Sequence, residues 1–295
     1  MCTGNSYEAK HKEILLKTFA FVIDVLEKHH LEYYTSSGTT LGAIRHQGMI
    51  PWDDDIDIFV PRDDYDWLLS NRDIFNGTDY YLVAPGDGNY YLPHSKICNR
   101  NTTIWEESSH PFVCGVFIDI FPLDYFDWPK EQILKEKRRE IHVFARYKDC
   151  IADHSISRFI LLAKKSNWGS FARLLLGFLL SHVIDARVFL NKFLDMQRQL
   201  PNNKEGKYCV CTSISAGKVY LTEWFKDYTL MPFEGLQVKV QNGYDEYLKL
   251  LYGDYMTPPP VEQRVINHKR YYINLEEGLT IDEVRERIKQ GEHQK

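Results

Sequence analysis

Long apolar runs are the first thing this sequence lacks. The longest, from Phe171 to Ile184, is interrupted by Arg173, Ser181 and His182, whereas a bilayer span takes ~20 consecutive apolar residues. The opening residues, Met1-Cys2-Thr3-Gly4-Asn5-Ser6, contain no basic start followed by an apolar stretch. No secretory signal is read there, and a cytoplasmic protein is expected, at most at the inner face of the membrane. Internal repeats and low-complexity linkers are also missing, which leaves one core rather than an array. Cysteine is sparse, with six in 295 residues. Only Cys209-x-Cys211 is a close pair, and one intervening residue is fewer than zinc knuckles use. Reduced thiols packed in the core are expected. A strong net charge is absent too: the total is −5 with 26% charged residues, which does not point to nucleic acid as a partner.

That average conceals an asymmetry. Residues 130–198 hold 14 Lys and Arg against 7 Asp and Glu, a local +7 that leaves −12 for the rest of the chain. Two readings are open: a basic face that meets an anionic partner such as a membrane, or a solvated helical layer over the core.

What is present suffices for a sizeable core, since 44% of the residues are hydrophobic. Residues 8–30 repeat Ile14, Leu15, Phe19, Val22 and Leu26 at helical spacing. A short strand from Leu31 to Thr35 is expected next, then a turn at Ser36-Ser37-Gly38 and a helix from Thr39 to His46. Asp55 to Val60 reads as a strand, and a helix follows Pro61 to about Ser70. Further strands are expected at Tyr80 to Ala84, Tyr91 to Cys98, Val116 to Phe121 and Leu236 to Val240, with a helix from Tyr244 to Leu251. Residues 130–200 read as wholly helical, and the charged tail after Glu276 as a loose helix. The predicted class is α/β, a mixed sheet flanked by helices with a helical insertion. Its expected parts are a core over 1–129, a basic helical insertion over 130–200, a C-terminal part of the catalytic unit over 201–275 and a tail over 276–295.

The chemistry concentrates in Trp52-Asp53-Asp54-Asp55-Ile56-Asp57-Ile58. On a strand, residues two apart share a face, so Asp53, Asp55 and Asp57 would project together while the isoleucines enter the core. Carboxylates this close repel one another unless a cation intervenes, and hard divalent ions such as Mg²⁺ or Mn²⁺ take oxygen ligands. Phe117-Ile118-Asp119-Ile120-Phe121 offers a third carboxylate, costly to bury unpaired; Asp124, after Pro122, is expected in a loop. Small residues at Ser36-Ser37-Gly38-Thr39 can let a phosphate approach a helix N-terminus. A solvated acidic turn and an edge-strand Asp are the alternatives without function. His46, His94 and His268 are left as structural.

The order strand, glycine turn, helix, Asp-x-Asp strand and later third Asp resembles the polymerase-beta-type nucleotidyltransferase fold. More closely, Gly38-Thr39-Thr40-Leu41-Gly42-Ala43-Ile44-Arg45-His46 through Gly48-Met49-Ile50-Pro51-Trp52-Asp53-Asp54-Asp55-Ile56-Asp57-Ile58 is similar to the signature of the LicD family. Pro61-Arg62-Asp63-Asp64-Tyr65, the block from Phe117 to Asp124, and Leu251-Tyr252-Gly253-Asp254-Tyr255-Met256 add to the resemblance. The fukutin-related transferases share the first block. The resemblance implies metal-dependent transfer of phosphocholine from CDP-choline, or of another alcohol phosphate from a CDP-alcohol, to a glycan, lipid-linked glycan or teichoic-acid precursor. It implies metal ligation by Asp53, Asp55, Asp57 and Asp119, with Asp119 also a base for the acceptor hydroxyl, and diphosphate contacts from Gly38 and Thr39. Arg45 would neutralise phosphate, or else pair with Asp63 or Asp64. Lys96 and Arg100 would offset charge on the leaving CMP. Among Tyr33, Tyr34, Trp52, Tyr90, Tyr91 and Trp105, Trp52 is the candidate to hold a quaternary ammonium through its ring face. Nucleotide transfer with release of pyrophosphate, and a binding protein with a decayed site, are the competing classes.

Overall fold

The computed structural model describes residues 3–212, 217–265, 268 and 270–291. A long helix α1 (Thr3–Lys28) leads into β1 (Tyr34–Thr35), α2 (Ser37–His46), β2 (Asp57–Pro61) and α3 (Arg62–Ser70). Then come β3 (Tyr80–Val83), β4 (Ser95–Asn99), β5 (Thr103–Trp105) and the ten-residue β6 (Phe117–Phe126). Four helices follow: α4 (Lys130–Cys150), α5 (Ile156–Lys164), α6 (Trp168–Val183) and α7 (Arg187–Arg198). The chain returns through β7 (Tyr208–Cys211), β8 (Tyr220–Leu221), β9 (Tyr228–Phe233), β10 (Leu236–Gln241), α8 (Tyr244–Tyr252), β11 (Tyr272–Asn274) and α9 (Ile281–Lys289).

The main sheet is mixed and runs β1-β2-β6-β4-β3, with β2 and β6 parallel and the other pairs antiparallel. β6 is buried along nearly its whole length, as a central strand should be. Its first half pairs with β4 and its second half with β7. Pro122 falls where one partner ends and the next begins, so its missing N–H costs little there. This is why the strand runs on past the proline and why Asp124 lies inside β6, not in a loop as its sequence suggests. α1 presents Leu15, Phe19, Val22 and Leu26 to the core beneath the sheet. β9 and β10 form a separate hairpin whose turn, Glu234-Gly235, has both residues at positive φ, the geometry that matches strand twist. The Glu234 side chain accepts from the Met49 amide at 3.0 Å, which anchors the loop leading into the acidic run. Pro232 sits in β9 of this two-stranded hairpin, which hides that strand from sequence reasoning. The tail helix α9 is firmly seated: Thr280 and Glu283 form a capping box, and Val284 packs with Trp105 and Tyr272. The described cysteines Cys98, Cys114, Cys150, Cys209 and Cys211 are all free thiols.

Asp124 joins four parts of the molecule. It accepts from Arg62 Nε of α3 at 2.6 Å, from Lys137 Nζ of α4 at 2.7 Å and from Thr212 Oγ1 beyond β7 at 3.1 Å. Lys137 also meets Glu140 at 3.1 Å, and all four charged groups are buried. Burial pushes the Asp124 carboxyl up, but Arg62 and Lys137 outweigh it and hold the group well below the usual carboxylate range. Asp124→Asn leaves two buried cations short of a counter-charge and is expected to destabilise the fold by about 3–5 kcal/mol, measured by urea unfolding. Wild-type stability from this group is present above the unfolded carboxylate pKa of ~3.9 and is lost as pH falls below it; the variant should lack that acid dependence. A loss under about 1 kcal/mol would show that the network does not hold the sheet to the helices.

Candidate active site

The strand registers assemble the site. Asp57 pairs with Asp119 in the parallel β2–β6 ladder, and Asp119 pairs with Lys96 in the antiparallel β6–β4 ladder. Residues in register across a sheet share a face, so Asp57, Asp119 and Lys96 form one row over three strands. Ile56, Ile58, Ile118 and Ile120 alternate with them and are fully buried on the other side. Asp55 reaches the same row: one carboxylate oxygen each from Asp55, Asp57 and Asp119 lie within 4.8 Å of one another. Asp53, Asp54, Asp55 and His268 form a second group of the same compactness.

The strand begins only at Asp57, so Asp53 and Asp55 come from the extended approach rather than from a strand face. A turn at Pro51-Trp52, closed by the Asp53 amide on the Ile50 carbonyl at 2.9 Å, sets that approach. Asp54 is buried against Arg270 Nη2 at 3.0 Å and His268 Nδ1 at 2.8 Å, and His268 Nε2 also reaches Asp55 at 3.4 Å. Gly38 makes room for Asp53, since a Cβ there would stand 2.5 Å from Asp53 Oδ2. Thr39 Oγ1 accepts from the Asp57 amide at 2.9 Å and ties the head of β2 to α2.

The carboxylates differ in how they are compensated. Burial raises the Asp119 carboxyl, yet Lys96 Nζ and His94 Nε2, each 2.9 Å from Oδ1, bring it down to about 2. Lys96 also meets Glu106 at 3.4 Å and stays charged despite burial. Asp57 is pushed well above the ordinary range by burial and then by Asp55, Asp119 and Asp53. Asp55 rises to about 7 through burial and Asp53. His268 moves up to about 9, chiefly through its hydrogen bond to Asp54. The row therefore holds more negative charge than its own cations balance, and its clustered oxygens suit a hard divalent ion.

Three clefts, of about 570, 390 and 480 Å³, meet at Asp57. The first is lined by Gly38, Arg45, Trp52, Asp53, Asp55 and His268. Arg45 does not pair with Asp63 or Asp64; it donates from Nη1 to the Tyr255 carbonyl at 2.6 Å and from Nε to His46 at 2.9 Å. Its guanidinium lies 5.9 Å from the Trp52 ring, and that of Arg264 lies 5.1 Å from it. The second cleft is lined by His94, Lys96, Asp119 and Arg270. Arg100 is not brought to the site: it is exposed, donates to the Thr78 carbonyl at 3.2 Å and covers Tyr81. Tyr33, Tyr34, Tyr90 and Trp105 are core side chains, while Tyr91 edges the second cleft. His94, Glu106, His268 and Arg270 are site residues that sequence reasoning did not select. No spacing announces them, since 214 residues separate His268 from Asp54.

A carboxylate cluster built for a cation should cost stability without one. Asp57→Asn removes one member of the mutual repulsion, and metal-free variant is expected to melt at or above the metal-free wild type. Mg²⁺ or Mn²⁺ should raise the melting temperature of the wild type and leave that of the variant nearly unmoved. Equal stabilisation of both by the ion, read by calorimetry, would remove Asp57 from the ligand set.

Residues 30–145, which contain Gly38, Arg45, the acidic run, Lys96 and Asp119, match the family described as LicD/FKTN/FKRP, nucleotidyltransferase domain. Over 251 residues the chain is 29% identical to the lipopolysaccharide cholinephosphotransferase LicD of Haemophilus influenzae, covering 82% of this chain and 88% of that one. Over 50 residues it is 40% identical to the human ribitol 5-phosphate transferase FKRP, covering 17% of this chain and 10% of that protein. An uncharacterized protein of Rickettsia prowazekii is 51% identical over 41 residues, 14% of this chain and 15% of that one. The matched segment spans the whole row of carboxylates, and the likeness to the bacterial enzyme continues through most of the chain: residues 30–145 carry a LicD-type domain, which marks the chain as an enzyme of that type.

Proposed function

We propose that this enzyme moves an alcohol phosphate, phosphocholine first among them, from a CDP-alcohol to a hydroxyl of a cell-surface glycan or teichoic-acid precursor, with CMP as the leaving group. The observation that carries the reading is the row Asp57–Asp119–Lys96 with Asp55 beside it, at the meeting of three clefts. The choline preference rests on the H. influenzae relative, which is a cholinephosphotransferase alike over 82% of this chain.

Asp55, Asp57 and Asp119, with Asp53 alongside, are the residues that would hold Mg²⁺ or Mn²⁺. Such an ion supplies charge stabilisation to the diphosphate and to the oxygens around the attacked phosphorus. Asp119 is kept ionised by Lys96 and His94, which fits a constant anionic ligand better than a proton acceptor. Arg45 lines the cleft beside the N-terminus of α2 at Gly38, so a guanidinium and a helix dipole address the same anionic group. Trp52, faced by Arg45 and Arg264, would stack these guanidiniums as well as edge the donor pocket. Lys96 and Arg270 give the second cleft positive charge where CMP or the acceptor would lie.

The test is product analysis with CDP-choline, CDP-ethanolamine and CDP-ribitol beside a glycan acceptor. CMP is expected from CDP-choline above the others, and reversible loss of activity on chelation. Asp55→Asn and Asp57→Asn should each lower turnover by about a thousandfold or more. Pyrophosphate from CTP without CMP from any CDP-alcohol would move the assignment to nucleotide transfer, and near-normal turnover in both variants would end the metal reading.

A further inference from the structure

The helical block α4–α7 carries a surface that the catalytic row does not explain. α6 turns Leu174 and Gly177 inward, and Gly177 has no room for a Cβ, which would meet the Asp149 carbonyl of α4 at 2.3 Å. Its other side is a stripe of Trp168, Ala172, Leu175, Leu179 and Val183, spaced three and four residues apart and so on one helix face. Trp168 is 62% exposed, Leu179 55% and Val183 83%. α5 packs beside it through Phe159 on Phe171, with ring centroids 5.4 Å apart, and buries none of its own residues. Ile156 and Ile160 stand 79% and 49% exposed. No described helix is by itself long and apolar enough to cross a membrane; α6 reaches that length only together with α7, and the two are bent by 97° from one another.

Along α5 and α6 themselves the charge has one sign, although Arg173 is paired with Asp149 of α4 at 2.8 Å. Between Asp153 and Asp185 the sequence contains no carboxylate, but it contains Arg158, Lys164, Lys165 and Arg173. Lys164 and Lys165 are exposed at the end of α5. A second copy of this chain laid face to face would bring these cations against their own duplicates, with no carboxylate on α5 or α6 to pair them. An anionic lipid surface meets both halves of the pattern, taking the apolar stripe below its headgroups and the cations among them.

We propose that the α5–α6 face seats this enzyme on an anionic bilayer. The cleft of about 580 Å³ inside the same block, lined by Phe144, Lys148, Arg158 and Leu174, shares Tyr91 and Glu107 with the cleft of Asp119. Docking by α5–α6 therefore places the membrane on the side from which a lipid-borne acceptor would reach the catalytic row; this consequence, unlike the docking, rests on the transferase reading. The experiment is flotation of the full chain with vesicles of phosphatidylcholine containing phosphatidylglycerol, against phosphatidylcholine alone. Flotation on the anionic vesicles is expected, weakened by salt and lowered about tenfold by Lys164→Glu with Lys165→Glu. Leu175→Glu with Leu179→Glu should abolish it while far-ultraviolet dichroism and CMP release from a soluble donor stay as in wild type. Failure of the wild type to float at low salt overturns the proposal, as does equal flotation of the leucine variant. So does a lipid-free dimer, seen by sedimentation, that the leucine variant breaks. Flotation does not depend on turnover, so an inactive enzyme that floats would fault the transferase reading and leave the docking face standing.

Discussion

The parallel pairing of β2 with β6 is the constraint on which the site depends. It sets Asp57 beside Asp119 on two interior strands of a buried sheet, where two like charges would not choose to be. What enforces it is apolar: Ile56, Ile58, Ile118 and Ile120 are fully buried on the opposite face, and a slip of β2 by one residue would turn Ile56 and Ile58 out and drive Asp57 in. The hydrophobic side of the sheet thus pays for the electrostatics of the other. Asp124, farther along β6, fixes the same strand to α3 and α4, so the ladder is held at both ends by groups of very different kinds.

Compensation in the row is deliberately uneven in its effect. Asp119 has a lysine and a histidine on one oxygen, whereas Asp55 and Asp57 face mainly each other and other carboxylates. Asp54, inside the same acidic run, is neutralised by Arg270 and His268 and serves to fasten the loop. Neighbouring aspartates therefore differ in compensation according to which basic side chains reach them, not according to their place in the sequence.

Much of this was legible in the residues. The Asp-Ile alternation gave away the strand, and the lone aspartate in Phe117-Ile118-Asp119-Ile120-Phe121 the carboxylate beside Asp57; the glycine at 38, read as room for a phosphate, makes room for Asp53. The helices of 130–200 followed from composition. What escaped was non-local or short. β5, β7, β8 and β11 have two to four residues each, too few for a periodicity to show. Pro122 suggested an ending because its handover between β4 and β7 is a property of the sheet, not of the strand. Lys96 was reachable by likeness, but Arg100, four residues on, leaves the sheet at the far end of β4 and ends outside the site. The basic partners of Asp54 come from the last tenth of the chain, and only the fold brings them back.

The turn at Glu234-Gly235 has a consequence for how the molecule comes together. It grips the Gln47–Met49 loop from nearly two hundred residues away, through the Glu234 amide on the Gln47 carbonyl at 3.1 Å and the Met49 amide on Glu234. His268 and Arg270 arrive later still. During synthesis the acidic segment emerges early and must wait, uncompensated and unanchored, until most of the chain has followed. Closing such distant contacts is slow, so the acidic end of the sheet is among the last regions to reach its final form, although its residues are among the first to be made.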